Sequence, residues 1–166
     1  GSPIVRNNRI HHNAGNGVDF SYNWPGGTPS IYNNTIDSHG LYGLFWARDW
    51  NDQPDIQNNI VTGNGVGGIR CRRTHPSTVA YNDAWSNPVD YDEPEVGWCG
   101  GTGNIQLDPL FVGAGHADYR LQAGSPAIDA GNPAPAFNDM DGSRNDMGAY
   151  GGPIGPFNTW LPAVLR

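Results

Sequence analysis

Pro54-Asp55-Ile56-Gln57-Asn58-Asn59 decides the fold, because the chain writes it three times. Pro29-Ser30-Ile31-Tyr32-Asn33-Asn34 is a second copy and Pro3-Ile4-Val5-Arg6-Asn7-Asn8 a third; Ser77-Thr78-Val79-Ala80-Tyr81-Asn82 is a weaker relative. The last Asn of each copy falls at positions 8, 34, 59 and 82, so the interval runs 26, 25, 23. Self-similarity at such a period marks stacked repeats, each too small to bury a core alone. The copies keep agreeing past the Asn pair. Ile10, Ile36, Val61 and Ala84 stand two residues later. Gly17, Gly43 and Gly68 then precede Val18, Leu44 and Ile69, and Phe20, Trp46 and Cys71 follow two places on. Period-two alternation in runs of about 4–6 residues, broken by Asn and Gly, predicts short strands. Gly and Pro interrupt every window long enough for a helix.

Strands stacked about 4.8 Å apart bring equivalent side chains into columns. Val5–Ile31–Ile56–Val79 and Ile10–Ile36–Val61 are expected to face inward. Asn8–Asn34–Asn59–Asn82 are expected to form a carboxamide ladder at a corner. Asn7, one place earlier, is expected to point outward and tolerate substitution. In these features the first 90 or so residues resemble the right-handed parallel β-helix, or pectin-lyase-like, superfamily. Further on come Ile105-Gln106-Leu107-Asp108-Pro109-Leu110-Phe111, Asp118-Tyr119-Arg120-Leu121, Gly124-Ser125-Pro126-Ala127-Ile128-Asp129-Ala130-Gly131 and the run from Asp139 to Tyr150. That order is similar to the C-terminal end of many secreted bacterial β-helix proteins. The resemblance implies an all-β, right-handed parallel β-helix of about four rungs. Rungs and loops occupy residues 1–103, a C-terminal capping segment of the same domain 104–152, and an apolar tail 153–166. It also implies a secreted or cell-surface protein.

Composition narrows the function. The chain has 166 residues with 24 Gly and 14 Pro, suited to a coil with a corner every few residues. Its formal net charge is −7, and all nine basic residues are Arg. An acidic chain without Lys is a poor partner for nucleic acid, whose affinity rests on neutralised phosphates. No apolar run approaches the ~20 residues that span a bilayer. The chain opens inside a repeat at Pro3-Ile4-Val5, so its first rung is expected to need missing rungs of the same protein or a second copy. Cys71 and Cys99 lie 28 residues apart, close to one rung. They are expected to pair across adjacent coils; two buried thiols are the alternative.

Along the chain, residues 22–28, 48–53 and 73–75 read as loops leaving one corner of successive coils. Pro88, Pro94 and the acidic Asp90-Tyr91-Asp92-Glu93 read as a surface insertion in the fourth rung. Trp24, Trp50 and His75 each stand 16 places after their ladder Asn, so their rings are expected in one column. A sugar chain is expected to lie on it, with Arg48, Asp49 and Asp52 bonding its hydroxyls. The competing reading is that Trp24 and Trp50 pack on each other and hold the loops down.

The resemblance directs attention to catalytic groups. Superfamily enzymes acting on acidic polysaccharides need a base and a cation beside the sugar carboxylate. Arg70, Arg72 and Arg73 form the densest cationic cluster, with Arg70 sharing an outward column with Asp19 and Phe45. They are weak catalytic candidates; a solvated basic edge is the competing reading. Ser38-His39-Gly40 only faintly resembles the family's Gly-His-Gly, and its Asn-Thr-Asp and Asp-Asp motifs are absent. His11, His12 and His39 are not at metal spacing. Asp139, Asp141 and Asp146 are calcium candidates, although Tyr150 stands where a loop of this type places Glu. The alternative is a capping turn in which Arg144 pairs with those carboxylates. No cofactor is otherwise expected. Three functions follow in order: a carbohydrate-facing module that binds or helps process polysaccharide, a structural component assembling by end-to-end stacking, and a polysaccharide lyase or glycoside hydrolase.

Overall fold

The computed structural model describes residues 2–20, 28–46, 54–71, 78–93, 99 and 101–154. Each repeat supplies three short strands. The first rung is β1 (Ile4–Arg6), β2 (Arg9–His11) and β3 (Val18–Asp19), and the second β4 (Ser30–Tyr32), β5 (Thr35–Asp37) and β6 (Tyr42–Phe45). The third is β7 (Asp55–Gln57), β8 (Ile60–Thr62) and β9 (Gly67–Arg70), and the fourth β10 (Thr78–Ala80), β11 (Asp83–Trp85) and β12 (Tyr91–Asp92). Equivalent strands pair in parallel and build three four-stranded sheets, β1-β4-β7-β10, β2-β5-β8-β11 and β3-β6-β9-β12. The chain is a parallel β-helix. Its Tyr91 and Asp92 correct the surface-insertion reading, since they pair with Ile69 and Arg70 as the last strand of the third sheet.

The corner between the first two strands of each rung is two residues long. Its first residue, Asn7, Asn33, Asn58 or Tyr81, sits at φ of 53°, 50°, 60° or 56°. Asn tolerates this left-handed conformation better than most residues, which accounts for the doubled Asn. The second residue turns inward. Nδ2 of Asn8, Asn34 and Asn59 donates to Oδ1 of Asn34, Asn59 and Asn82 at 3.1, 3.0 and 2.9 Å. The ladder runs one step beyond the repeats, to Asn104. A second ladder occupies the next corner: the backbone N–H groups of Asn13, His39 and Asn64 donate to side chains of His39, Asn64 and Asn87. His39 accepts through Nδ1, so its Nε2–H donates to the Ile10 carbonyl, 3.2 Å away. Burial pushes its pKa down and keeps the imidazole neutral.

Inside the coil, Ile31, Ile36, Leu44, Ile56, Val61, Ile69 and Val79 form one apolar core with the disulfide of Cys71 and Cys99. Tyr91 continues the inward column above Ile69 and bonds the carbonyls of Asn82 and Ile105, closing the last coil with its ring. Ile105 bridges to Asp83 in parallel, a partial fifth turn.

The segment that follows runs lengthwise back along the flank. It carries the antiparallel pair β13 (Phe111–Gly113) and β14 (Asp118–Leu121). Ala127 and Met147 bury themselves with Ile60 on the outer face of the second sheet, beside Tyr81, Ile105, Phe111 and Leu121. Gly148 passes so close that a Cβ there would sit 2.8 Å from Ile60, at φ +93°. The outer corner residues anchor the segment. Asn58 Oδ1 accepts from Asn132 N–H at 2.7 Å, and Asn33 Nδ2 donates to Asn145 Oδ1 at 3.0 Å. Asn7 Nδ2 reaches the carbonyls of Ala149 and Gly151 at 3.2 and 2.8 Å. Asn7 thus points outward but is not free, because the expected open face is the seat of the closing segment.

Candidate ligand-binding cleft

The register of the second sheet lines up His11, Asp37, Thr62 and Trp85 as the last outward residue of β2, β5, β8 and β11. The closing segment leans over the middle of this row. Asp37 is buried and accepts three hydrogen bonds, from Ser38 Oγ at 2.9 Å, Thr62 Oγ1 at 2.8 Å and Tyr119 OH at 2.9 Å. Burial, then the Asp37 carboxylate, push the Tyr119 phenol well above its ordinary pKa, so it stays a donor. The Tyr119 ring packs edge-on against Phe111 and at a tilt against the exposed His11, which touches His12 Nδ1 to Nδ1 at 3.1 Å. On the far side of Asp37 lies a cleft of about 190 Å³. Trp85, Pro109, Phe111 and Ala114 give it apolar walls, and Asp37, Thr62, Ser86 and Asp108 line it with oxygens. Trp85 is 38 % exposed although it sits on a regular strand. Among the described residues, no Arg or His lines the cleft.

Next to the cleft, Asp83 is wholly buried. Its Oδ1 accepts the Leu107 N–H at 3.1 Å, and Oδ2 has no partner among the described residues. Burial first, then the charges of Asp90 and Asp108, push its pKa up to about 7 against the pull of the Leu107 bond.

The residues singled out in the sequence divide between places. Trp24, Arg48, Asp49, Trp50, Asp52, Arg72, Arg73 and His75 lie outside the described residues. Arg70 stands in the outward column Asp19–Phe45–Arg70–Asp92 of the third sheet. Its Nη1 donates to Asp92 at 2.8 Å and to Tyr42 OH at 2.9 Å, and its guanidinium lies over the Tyr42 and Phe45 rings. Its charge is already matched by Asp92, and the guanidinium covers the two rings. Asp139, Asp141 and Asp146 spend oxygens on backbone groups of the closing segment, accepting the N–H groups of Asp146, Ser143 and Asp129. Gly152 N–H is a further donor to Asp139. Arg144 donates to the carbonyls of Gly131 and Ala130, so it does not pair with these carboxylates as the alternative reading expected. Among the described residues no group of three or more His, Cys, Asp or Glu is arranged to hold a metal ion, and no helix is long and apolar enough to cross a membrane.

Trp85, Asp108 and Tyr119 escaped the sequence reading. For Trp85 the signal was present: it stands three places after its ladder Asn, as do His11, Asp37 and Thr62. Asp108 and Tyr119 carried none, because the closing segment does not repeat. Fold and cleft together define a β-helix solenoid with a small, acidic, aromatic-walled cleft on its flank. Comparison with family models, curated proteins and solved structures gave no match.

Proposed function

We propose that this is a secreted or cell-surface β-helix module that faces carbohydrate, the terminal portion of a polysaccharide-binding or polysaccharide-processing protein of the pectin-lyase-like kind. The half-exposed Trp85 over a cleft lined by Thr62, Ser86 and Asp108 carries the reading. Sugar sites pair an apolar platform, on which the C–H face of a ring lies, with a few placed polar groups. The Cys71–Cys99 disulfide supports an oxidising compartment. Affinity electrophoresis on a panel of polysaccharides tests the reading. Trp85→Ala is expected to abolish retention while the melting temperature falls little. Retention on no polysaccharide, or retention unchanged in Trp85→Ala, removes it. The double change Trp24→Ala, Trp50→Ala in the same gels examines the loop column separately.

One observation favours a structural role as a second reading. Among the described residues, strands β1, β2 and β3 each have a neighbour on one side only. The ladder is also polar, with each Asn donating toward the higher-numbered rung. Among the described residues Asn8 Oδ1 therefore stands as an open acceptor for a preceding coil, beside three unpaired strand edges. Sedimentation velocity across a hundredfold concentration range would show end-to-end association. A constant monomer rules this reading out for the isolated chain.

A further inference from the structure

We propose that the Trp85 cleft takes an amino sugar, a pyranose carrying a protonated amine, as found in a deacetylated hexosamine polymer. The proposal rests on the carbohydrate reading and narrows it to a substrate class. The volume of about 190 Å³ suits a single ring more than a long groove of subsites. The walls supply what any sugar needs, an indole face with Pro109 and Phe111 beside it. Selectivity comes from the lining oxygens. Asp37 is a carboxylate whose oxygens already accept three hydrogen bonds, so it contributes charge more than a vacant acceptor. Asp108 is exposed, and among the described residues its hydrogen bond is from Leu110 N–H to Oδ1 at 2.9 Å, which leaves Oδ2 for a ligand.

With two carboxylates and, among the described residues, no cation lining the cleft, a uronate would enter against repulsion. A neutral hydroxyl gains an ordinary hydrogen bond there, and an ammonium gains a charge-assisted one. The buried Asp83 nearby, whose Oδ2 has no partner among the described residues, reports the same field, since Asp90 and Asp108 add to the burial that keeps its proton on. The surplus of negative charge over the whole chain, −7, works in the same direction.

Calorimetric titration of the full chain at pH 6 and moderate salt decides the matter. The probes are glucosamine oligomers, their N-acetylated counterparts, neutral glucan oligomers and galacturonan oligomers. The glucosamine oligomer is expected to bind about tenfold more tightly than the acetylated one, the value of one added charge-assisted hydrogen bond. Asp108→Asn, which keeps the acceptor for Leu110, is expected to erase that preference, whereas Asp141→Asn on the far turn keeps it. Trp85→Ala is expected to lose every oligomer. Equal affinity for the free and acetylated amines overturns the proposal. So does a preference that survives Asp108→Asn, which would mark diffuse attraction to an acidic surface. Binding of neutral oligomers without amine preference overturns only this proposal and leaves the carbohydrate reading in place. Binding of none, or binding insensitive to Trp85→Ala, overturns both.

Discussion

At position 39 an imidazole stands in for a carboxamide. His39 accepts from the Asn13 N–H and donates to a carbonyl of the neighbouring coil, the task Asn87 performs toward the Val61 carbonyl. Sequence made this legible in principle: Asn13, His39, Asn64 and Asn87 each stand five places after a ladder Asn. The mixed residue types hid the column. The first ladder was legible because its residue never changes. Asn34 bonds the half-buried carbonyls of Val5 and Tyr32, donates to the buried Asn59 Oδ1 and accepts from Asn8, so Asn34→Ala strands partners on three rungs. We expect a loss of about 2–4 kcal/mol in chemical denaturation. Asn7→Ala is expected to cost about 1–2 kcal/mol, from its two bonds to the closing segment and its left-handed backbone. Equal stability of wild type and Asn7→Ala would mean that this anchor carries no weight. Asp83 sets a pH dependence. Its folded pKa, about 7, lies above the ordinary carboxylate value of about 4. Its contribution is therefore complete below about pH 4 and is lost as pH rises through about 7. Asp139 and Asp146, raised by burial, act in the same sense. Asp118 and Asp141, lowered by bonds from Arg120 and Ser143, act in the opposite sense at lower pH. Asp83→Asn is expected to gain stability at pH 7 relative to wild type but not at pH 4. Melting curves at the two pH values read the difference, and a gap of the same size at both would refute it.

Among elements, the strands were legible and the closing segment was not, for one physical reason. Strands of a stacked coil meet copies of themselves, so a period in sequence reports a contact in space. The closing segment meets residues more than a hundred positions away, as Asn145 meets Asn33 and Gly151 meets Asn7, and nothing local encodes that pairing. It was expected as a cap closing the coil, and its path down the flank was not readable. The strand β12 was missed because Pro88 and the acids of 90–93 looked like a loop. Only the inward Tyr91 follows the apolar column, while Asp92 faces outward to Arg70. The cleft was half legible for the same reason. Its coil wall obeys the repeat, and its other wall, Asp108 to Ala114, belongs to the segment that does not.

As a whole molecule, the coil and its closing segment obey different rules of cooperativity. In a bare solenoid each rung touches only the next, and stability is a sum of nearest-neighbour terms, so such a chain frays gradually from its ends. Here one covalent strand crosses that order. It meets the fourth rung through Ile105, the third through Asn132, the second through Asn145 and the first through Ala149. Loosening any one rung must strain contacts made to the others by the same segment. The consequence is mechanical: a stack of coins has become a strapped bundle, and its layers cannot be peeled away singly. Unfolding is then all-or-none along the whole length, and a single cut in the strap restores the slow fraying of a loose stack.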